Sequence, residues 1–569
     1  MKRLLLGVSA AFVAAVLLLA CGTSGGAKLS MQPGTYRSTI SAMHGPLSVE
    51  VDVTASAITS VRVTDHVETP GLADWAIERI PRRIVQEQSL AVDTVSGVTV
   101  TSMFIISAVE NCLTEAGADT AALRRPLRRS RPANQNLSAD VIIVGGGGAG
   151  LAAAVSATEA GASVILVEKA GFLGGNSIVA GGIYNVANSP QQNALTALPG
   201  DDRLVAQALE MAPVNETHRA ITERVRTEFD THRRNSNRIF DSPSWHALQT
   251  WLGGDRVANL SLVNHMTSNA PGGLTWLQSM GMEFQPGAIM GAGSLYRRTL
   301  RAVLPNGVGF INSFRDTLET RDKYQQLMET NVTSLIVEGG KVVGVNAEGR
   351  YGNRVTLRAN RGVVLATGGF AGNVKLRQEY AEGEFWPYLG PTLNTTNVKG
   401  VTGEGIFFAR DAGAELIDMQ HLQLLHVAHP QTGMINDHAS IPSGILGNLF
   451  VNKEGSRFVR EDGRRDEISK AILNQTDGMY YVILSSDAIP NPDVNITLDG
   501  RTISFMLEHK LSGYVKADTL QELAGVIGVD ANNLTASIWE FNDHVRSNTA
   551  IVDFVVFGRI AGESVAARK

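Results

Sequence analysis

The sequence predicts an α/β protein with more than one domain, and three observations lead to this expectation. A run of strand-forming residues, 141–144, leads directly into a glycine-rich turn that begins at Gly145. An alanine-rich helical segment follows over 151–160, and a second apolar run at 164–167 ends on Glu168. Strand, glycine turn, helix and strand in this order are typical of a βαβ unit in a parallel sheet. The 569 residues, 44% of them hydrophobic, are sufficient for several cores.

The glycine-rich turn has the spacing of a dinucleotide-binding site, with glycines at Gly145, Gly147 and Gly150. The first glycine permits a tight turn, the second lets the backbone approach a pyrophosphate, and the third lets the helix pack closely against the strand. The following helix offers free N–H groups and a positive dipole end to phosphates. Glu168, at the end of the second strand, suits the hydroxyls of a ribose. An α/β turn that binds no nucleotide is the alternative.

Charge and cysteine content exclude several classes of protein. The net charge of −5 argues against a nucleic-acid-binding protein, which would carry a basic domain. The two cysteines are Cys21 and Cys112, and the chain lacks the Cys-x-x-Cys-His sequence that attaches a c-type haem. We expect Cys112 to be a buried structural thiol, and we predict no metal site.

The first 21 residues resemble the signal peptide of a bacterial lipoprotein. Lys2 and Arg3 are positively charged, residues 4–19 are apolar, and small residues precede Cys21. Cleavage would leave Cys21 as a lipidated N-terminus. We therefore expect an exported, membrane-anchored protein on the periplasmic or extracytoplasmic face. A transmembrane anchor is the alternative, although the apolar run is short for a span of roughly 20 residues.

A separate α+β unit is expected over residues 31–118. Residues 47–53 and 58–63 alternate with the period of a strand, and an amphipathic helix is expected over 103–116. A linker follows at 119–138 and contains five arginines. These arginines either contact anionic lipid headgroups or belong to a solvated, flexible tether, which we favour.

Two motifs in this unit resemble those of the small FMN-binding domain of membrane electron-transfer flavoproteins. They are Glu68-Thr-Pro-Gly and the run Asp93-Thr-Val-Ser-Gly-Val-Thr that ends at Thr99. The resemblance implies FMN bound covalently through a phosphoester to Thr99. Val98 departs from the family, which usually has alanine at that position. The alternative is that the serine and threonines cap the N-terminus of a helix.

From residue 139 onward the chain resembles the soluble fumarate reductase family, which includes urocanate and acrylate reductases. The resemblance is carried by residues 174–185 after the βαβ unit and by a strand and turn at 362–370. Residues 276–281 and 297–309 resemble the family's mobile capping domain, which closes over a substrate and excludes water.

The resemblance implies a Rossmann-like FAD-binding domain, formed by 139–240 and 351–569, with an inserted α+β capping domain at 241–350. This FAD-binding domain is preceded by the small α+β FMN-binding domain. Beyond the three glycines of the turn, the FAD-binding residues that it implies are Glu168, Lys169, Gly175, Asn176, Ser177, Gly181, Gly182, Thr367, Gly368 and Gly369.

The implied reaction is reduction of a carbon–carbon double bond in a small unsaturated carboxylate. A reduced flavin gives hydride from N5 to the β-carbon, the α-carbon takes a proton, and cationic donors stabilise the enoate charge. In the family an arginine gives the proton, and the matching run 450–466 places it at Arg465, next to Asp466. Electrons would come from a membrane or periplasmic donor in anaerobic respiration and pass from FMN to FAD. A structural Arg–Asp pair is the alternative.

One departure from the family affects the expected substrate. Ser440, Ile441 and Gly444 stand where the family has a Thr-Glu pair and an arginine that bind a carboxylate and relay protons. Possible substitutes are His426, His429, Asp437 and His438, with a structural role as the alternative for each. Of these, we expect His426 to bind the substrate, together with Arg301. A monocarboxylate such as urocanate or a cinnamate-like acrylate therefore fits better than fumarate.

A second departure concerns the carboxyl-terminal part of the chain. Residues 547–550 run directly into 551–562, which matches the family's terminal helix, so an internal block is missing relative to the family. That block supplies a second substrate-binding histidine and arginine and a wall of the FAD site. The alternative function is therefore a catalytically impaired, flavin-binding electron-transfer lipoprotein. An FAD-dependent dehydrogenase or oxidase is a further alternative.

Overall fold

The computed structural model describes residues 29–291, 296–381, 383, 385–386, 389–428, 433, 448–461, 463–486, 491–493 and 501–544. The expectations for Cys21, for the block missing after residue 546 and for several residues of the substrate site lie outside the described residues. The site residues concerned are His429, Asp437, His438, Ser440, Ile441 and Gly444. None of the described helices combines the length and the hydrophobicity that a membrane crossing requires.

The amino-terminal unit is a three-stranded antiparallel sheet packed against helices. Its elements are β1 (Gly34–Ala42), β2 (Gly45–Val53), β3 (Ile58–His66), α1 (Asp74–Glu87), α2 (Thr99–Glu115) and α3 (Thr120–Leu123). Along β2, buried and half-buried residues alternate, so one face of the sheet contacts the core. Helix α2 buries Ile105, Val109 and Cys112 in this core. Burial raises the pKa of the Cys112 thiol to about 11, as a structural role requires.

Helix α2 begins at Thr99 rather than at residue 103, where hydrophobic periodicity alone predicts its start. The hydroxyl of Ser102 donates to the carbonyl of Val98 at 2.8 Å and accepts from the backbone N–H of Val95 at 3.2 Å. These bonds bring the polar residues after Val98 into the first helical turn. Thr99 is consequently the first residue of the helix, with its side chain exposed.

The arginine-rich segment between the two units is held against the amino-terminal unit. Arg124 donates from Nε to Glu110 at 2.7 Å, and Arg129 donates to Glu87 at 2.6 Å. The segment then continues into β4 (Gln135–Val144). Residues 128–136 are exposed, so the segment is solvated, and the two ion pairs attach it to α1 and α2.

The glycine-rich turn joins β4 to a parallel strand through a helix, as predicted. Helix α4 (Gly148–Glu159) leads from β4 to β5 (Val164–Val167), and the two strands pair over their whole common length. All four residues of β5 are buried, as expected of a central strand covered on both faces.

A helical unit with a small sheet follows. Its elements are β6 (Ile183–Asn185), α5 (Pro190–Asn193), α6 (Pro199–Glu210), α7 (Glu216–Asn235), α8 (Pro243–Gly253), α9 (Leu260–Ser279), β7 (Ile289–Met290) and β8 (Arg297–Arg301). We call it the cap. Val205 of α6 and Val225 of α7 share one hydrophobic cluster with Trp245 of α8. The cap therefore begins earlier in the chain than the expected boundary at residue 241.

The chain then returns to the main sheet, which has the strand order β10-β11-β12-β4-β5-β9. The returning elements are α10 (Val308–Glu319), β9 (Tyr324–Leu327), β10 (Thr330–Glu338), β11 (Lys341–Gly349) and β12 (Arg354–Leu365). Strands β12, β4, β5 and β9 are parallel, whereas β10 and β11 extend the sheet in antiparallel fashion. The predicted α/β fold is confirmed, but β10 and β11 belong to this sheet and not to the cap.

The carboxyl-terminal part covers the ends of the parallel strands. Its elements are α11 (Val374–Ala381), α12 (Glu404–Asp411), β13 (Leu449–Val451), α13 (Arg465–Leu473), β14 (Tyr481–Ile483), α14 (Ile503–Glu508) and α15 (Leu520–Ile527), followed by helical residues 531–544. Leu449 and Val451 of β13 pack with Ala524 and Leu534, which anchors this part as a small core of its own.

Removal of one partner from the buried ion pair in the cap should lower the free energy of unfolding strongly. Arg298 donates to both oxygens of Asp241 at 2.9 and 3.1 Å, and each side chain is 1% exposed. Asp241→Ala leaves a buried, unpaired guanidinium, so we expect a loss of about 3–5 kcal/mol in the free energy of unfolding. Denaturation followed by tryptophan fluorescence measures the loss.

A matched control is Asp316→Ala, which breaks the exposed Arg315–Asp316 pair at 2.9 Å. We expect a change within about 0.5 kcal/mol for this variant. Equal losses for the two variants would show that burial does not decide the strength of the Asp241–Arg298 pair.

Candidate functional site

The glycine-rich turn after β4 is fixed by close contacts between backbone segments. Gly145 has a φ of +106°, and a Cβ on it would overlap the carbonyl oxygen of Ala366, the first residue after β12. A Cβ on Gly150 would overlap the carbonyl oxygen of Gly145. For Gly147, the nearest atom to an added Cβ would be the oxygen of Gly174 at 3.8 Å. The first and third glycines therefore serve packing, and the second leaves space for a ligand.

Glu168 is hydrogen bonded to the same turn. Its Oε2 accepts from the backbone N–H of Gly146 at 2.7 Å, and its Oε1 accepts from that of Ala170 at 2.7 Å. Each carboxylate oxygen has a second lone pair, so the group can still accept from hydroxyls of a ribose. Glu168 thus orients the turn and remains able to bind a ligand.

Lys169 connects the end of β5 to the N-terminus of α12. Its Nζ donates to Thr402 Oγ1 at 2.9 Å and to Glu404 Oε1 at 2.9 Å. Burial opposes ionisation of Glu404, but hydrogen bonds from Thr402 and Lys169 outweigh it, so the pKa of this carboxyl is lowered. A Cβ on Gly405 would overlap the hydroxyl of Thr367, so α12 packs directly on the turn after β12.

Asn176 and Ser177 fix two further segments around the turn. Asn176 donates from Nδ2 to Asn397 Oδ1 at 2.5 Å and accepts from the backbone N–H of Val398 at 3.0 Å. Ser177 Oγ accepts from the backbone N–H of Gly148 at 3.1 Å. The amino end of α4 and the 394–405 segment are therefore held on opposite sides of one space.

This space is a cavity of about 2040 Å³. Its lining includes most of the residues predicted to bind FAD, namely Gly145, Gly147, Glu168, Lys169, Gly175, Asn176, Ser177, Gly181, Thr367, Gly368 and Gly369. Gly150 and Gly182 are not part of the lining, and a Cβ on Gly182 would overlap the carbonyl of Asn306. Ordinary ligand pockets measure roughly 300–1,000 Å³, so a dinucleotide fits here with space to spare. We call it the first cavity.

Thr99 lies at the wall of the first cavity that the amino-terminal unit supplies. Nearby, Thr101 donates to buried Glu68 at 2.6 Å, and Thr69 Oγ1 lies 3.4 Å from His44 Nε2. Burial, assisted by the charge of Arg501, lowers the pKa of His44 to about 4. The Thr99 hydroxyl is therefore exposed to a space that the turn at residues 145–150 also borders.

Asp93, the first residue of the motif that ends at Thr99, binds the FAD-binding unit instead of facing the cavity. It accepts from the hydroxyl of Tyr351 at 2.6 Å and pairs with Arg350 and Arg129, each at 3.3 Å. Burial opposes ionisation of Asp93, but Tyr351 and the arginines lower its pKa below the usual value. The carboxylate therefore joins three parts of the chain: the amino-terminal unit, the segment after it and the β11–β12 turn.

The motif glycine also belongs to this contact. Gly97 has a φ of +87°, and a Cβ on it would overlap the ring of Phe172 in the FAD-binding unit. The backbone N–H of Gly171 donates to the carbonyl of Ser96 at 2.9 Å, and Arg79 donates to the carbonyl of Gly171 at 2.6 Å. The two units thus meet through backbone contacts immediately before Thr99.

A second cavity, of about 2200 Å³, adjoins the first at residues 394–397, which line both. His426, Ser469 and Tyr480 lie in its wall, and Tyr480 donates to the carbonyl of His426 at 2.9 Å. Burial and the positive charge of Arg465 lower the pKa of His426 to about 4. Arg465 is half-buried at the start of α13, and burial lowers its pKa as well. The charge of Arg465 therefore acts on His426, although Arg465, unlike His426, is not among the described residues that line either cavity.

Two other predicted site residues are placed differently. Asp466 forms an ion pair with Arg464: the Nε of Arg464 donates to Oδ1 of Asp466 at 3.1 Å. Arg301 is the exposed last residue of β8, paired with Ile183, and lines neither of the two cavities. Arg301 is therefore outside the site formed by the described residues.

The segment 394–405 is the part of the site that the sequence did not predict. It lines both cavities, bonds Asn176 and carries Glu404. One signal was available: Thr402-Gly-Glu-Gly precedes an apolar run, and an acidic residue in a first turn is typical of a helix N-terminus.

Comparison with known proteins agrees with this geometry. A family model described as an FAD binding domain matches residues 140–217 and 230–557, and a model described as an FMN-binding domain matches residues 43–114. The NADH:acrylate oxidoreductase of Vibrio harveyi is 32% identical over 532 residues, which cover 90% of this chain and 52% of that protein. The chain thus spans about half the length of this relative.

Two further proteins are similar over most of the chain. The urocanate reductase of Eggerthella lenta is 29% identical over 517 residues, which cover 90% of this chain and 77% of that protein. The open conformation of a flavocytochrome c3 fumarate reductase shares the fold, with a TM-score of 0.53 and 24% identity over 72% of this chain and 62% of that one. The chain therefore belongs to the FAD-binding family, which includes reductases of fumarate, urocanate and acrylate, and it has an additional FMN-binding domain.

Proposed function

We propose that this protein reduces the activated double bond of a small unsaturated carboxylate, with urocanate or another substituted acrylate as the substrate class. The observation that carries the proposal is the pair of adjoining cavities. Thr99 and Gly145 line the first cavity, and His426 lines the second. Because residues 394–397 line both, electron entry and substrate reduction would take place in one connected space.

The residues of the first cavity fit FAD. When bound, FAD supplies the two electrons of the reduction as a hydride from N5. Gly147 and the amino end of α4 would hold its pyrophosphate, because free N–H groups and the positive helix end favour a dianion there. Glu168 would accept from the ribose hydroxyls, while Lys169 and Asn176 keep the opposite wall in place.

Arg465 would supply the proton that the substrate's α-carbon takes. An arginine normally keeps its proton, so it acts as an acid only where the charged form is disfavoured. Burial has this effect on Arg465, and it lowers the pKa of the guanidinium. The same positive charge, while present, would attract a substrate carboxylate that binds near His426, because it already acts on this histidine.

His426 would bind the substrate as a neutral group. With a pKa of about 4, its imidazole is uncharged near pH 7 and contributes a hydrogen bond rather than a positive charge. A dicarboxylate needs a second cationic partner that this histidine does not provide. This favours a monocarboxylate over fumarate.

Thr99 would carry FMN through a phosphoester, and this FMN would relay electrons to FAD. The exposed hydroxyl at the start of α2 and the match of residues 43–114 to an FMN-binding domain support this part of the proposal. The amino end of a helix also stabilises a phosphate.

The protein would be exported and tethered by lipid at Cys21, and a membrane or periplasmic protein would donate its electrons. The charged residues Lys2 and Arg3, the apolar run at 4–19 and the small residues before Cys21 support this assignment.

A flavin-binding electron carrier without turnover is the second candidate. It is favoured by the direct run of residues 547–550 into 551–562, where the family has an additional block. Turnover of an unsaturated carboxylate by the full-length, flavin-loaded protein distinguishes the two candidates.

The proposed reaction is tested by anaerobic oxidation of reduced viologen with urocanate, cinnamate, methacrylate and fumarate. We expect rapid oxidation with at least one of the substituted acrylates. Arg465→Gln should lower kcat by about 10³-fold, in the range of general acid catalysis, with FAD absorbance retained. Arg358→Gln, which removes an exposed arginine that pairs with Glu338, is the control and should turn over normally. Failure of the wild-type protein with every acceptor would favour the electron carrier.

The neutral state of His426 predicts how stability changes with pH. The unfolded chain takes up a proton on this residue near pH 6.5, whereas the folded protein does so only near pH 4. The free energy of unfolding should therefore fall as pH is lowered from 6.5 toward 4, and the fall should be smaller in His426→Gln. Urea denaturation at four pH values measures the free energy of unfolding of both proteins. The same dependence on pH in the two would contradict a neutral His426 in the folded protein.

Covalent attachment is tested at Thr99. The wild-type protein, produced with a flavin transferase, should keep a fluorescent flavin after denaturation, and Thr99→Ala should lose it while retaining FAD in the native state. Thr114→Ala is a matched control, since Thr114 lies at the other end of α2 and only donates to the carbonyl of Glu110 at 2.8 Å. Flavin that survives denaturation in Thr99→Ala would place the attachment elsewhere.

A further inference from the structure

An ion pair joins the cap to the helix that carries Arg465. Arg464 donates from Nη1 and Nη2 to the two carboxylate oxygens of Asp255 at 2.5 and 2.6 Å. Two parallel bonds of this kind fix direction as well as distance, because the guanidinium is planar and matches the carboxylate. Asp255 belongs to the turn after α8, whereas Arg464 directly precedes α13. The pair thus connects the cap with α13, the helix whose residues Ser469 and Ile472 line the second cavity.

The turn that carries Asp255 has an unusual backbone. Asp255 and Arg256 both have positive φ values, of 58° and 64°, which residues other than glycine seldom adopt. The backbone N–H of Arg256 donates to the carbonyl of Trp251 at 2.9 Å, and Trp251 is buried in the cap core. A backbone hydrogen bond to the cap core therefore stabilises this conformation. In it, the carboxylate of Asp255 contacts Arg464.

On the other side, Arg464 determines how α13 begins. It is the residue immediately before the helix, with an extended backbone, and its N–H donates to Glu467 at 3.2 Å. Its Nε donates to Asp466 at 3.1 Å. Arg465 is the next residue and the first of α13, so contacts that fix the backbone of Arg464 also fix the position from which the Arg465 side chain extends.

We propose that Asp255 is a positioning residue: by pairing with Arg464, the residue immediately before α13, it holds Arg465 in the orientation for proton transfer. This inference rests on the proposed function, since it assigns Asp255 a role in that reaction. It also explains why Asp466 is paired with Arg464 and not used as the partner of Arg465.

The pair is exposed, at 42% for Arg464 and 51% for Asp255, so it should contribute little to global stability. Its effect should be on geometry, because small misplacements of a reacting group reduce the rate strongly. Asp255→Asn keeps the shape of the side chain but removes the charge. We expect kcat to fall roughly tenfold with a smaller change in KM, and Asp255→Glu to restore part of kcat.

Hydrogen–deuterium exchange of the flavin-loaded, full-length protein gives a readout that does not need turnover. Amides in the first turn of α13 and in residues 253–257 should exchange faster in Asp255→Asn than in the wild-type protein. Glu338→Gln is the matched control: Glu338 pairs with Arg358 at 2.6 Å with similar exposure, 58% and 48%, but this pair joins β10 and β12, on either side of β11 in the main sheet. It should change neither kcat nor exchange at α13.

The outcomes separate this inference from the proposed function. Unchanged exchange at α13 in Asp255→Asn would overturn the inference even if the wild-type protein reduces a substituted acrylate. Faster exchange with unchanged kcat would show a contact without a positioning role and would also overturn it. If the wild-type protein turns over no acceptor, the reductase proposal fails and the positioning role of Asp255 fails with it. Faster exchange in Asp255→Asn would then still support the contact between Asp255 and Arg464.

Discussion

The close approach of two backbone segments at the ends of β4 and β12 is the constraint on which the rest of the molecule depends. Gly145 lies against the carbonyl of Ala366, and Gly150 lies against Gly145, so the helix, the strand and the returning turn meet without side chains between them. Any side chain at these positions would separate the segments. The space left beside Gly147 is the first cavity, and α12 completes it by packing on Thr367.

Buried and exposed ion pairs contribute differently to this structure. The Asp241–Arg298 pair in the cap is shielded from water, so loss of either partner leaves a costly buried charge. Asp93 and its partners Arg350 and Tyr351 are partly exposed, and pairs of this kind contribute about 0–1 kcal/mol each. Their contribution is therefore mainly orientation: several weak bonds from different segments fix the amino-terminal unit in one arrangement.

Local patterns in the sequence were sufficient for the elements that local rules control. The glycine turn, Glu168 and the two parallel strands around them follow from residues close to one another in the chain, whereas Thr99 was chosen by resemblance. The partners of Asp93 and Arg464 did not follow, because Arg350, Tyr351 and Asp255 lie some 200 or more residues away. Arg301 was placed in the site by resemblance alone, and the strand that carries it ends on the surface.

The packing of Phe172 against Gly97 has a consequence for how this chain can be divided. Phe172 and Leu173 of the FAD-binding unit belong to one hydrophobic cluster with Val95 and Val98 of the amino-terminal unit. A shortened protein that starts after the amino-terminal unit would place these side chains in water, at about 1.5–3 kcal/mol each. The two units are therefore not interchangeable modules. A different amino-terminal unit would need a surface that covers Phe172 and Leu173, since exposed apolar side chains favour aggregation.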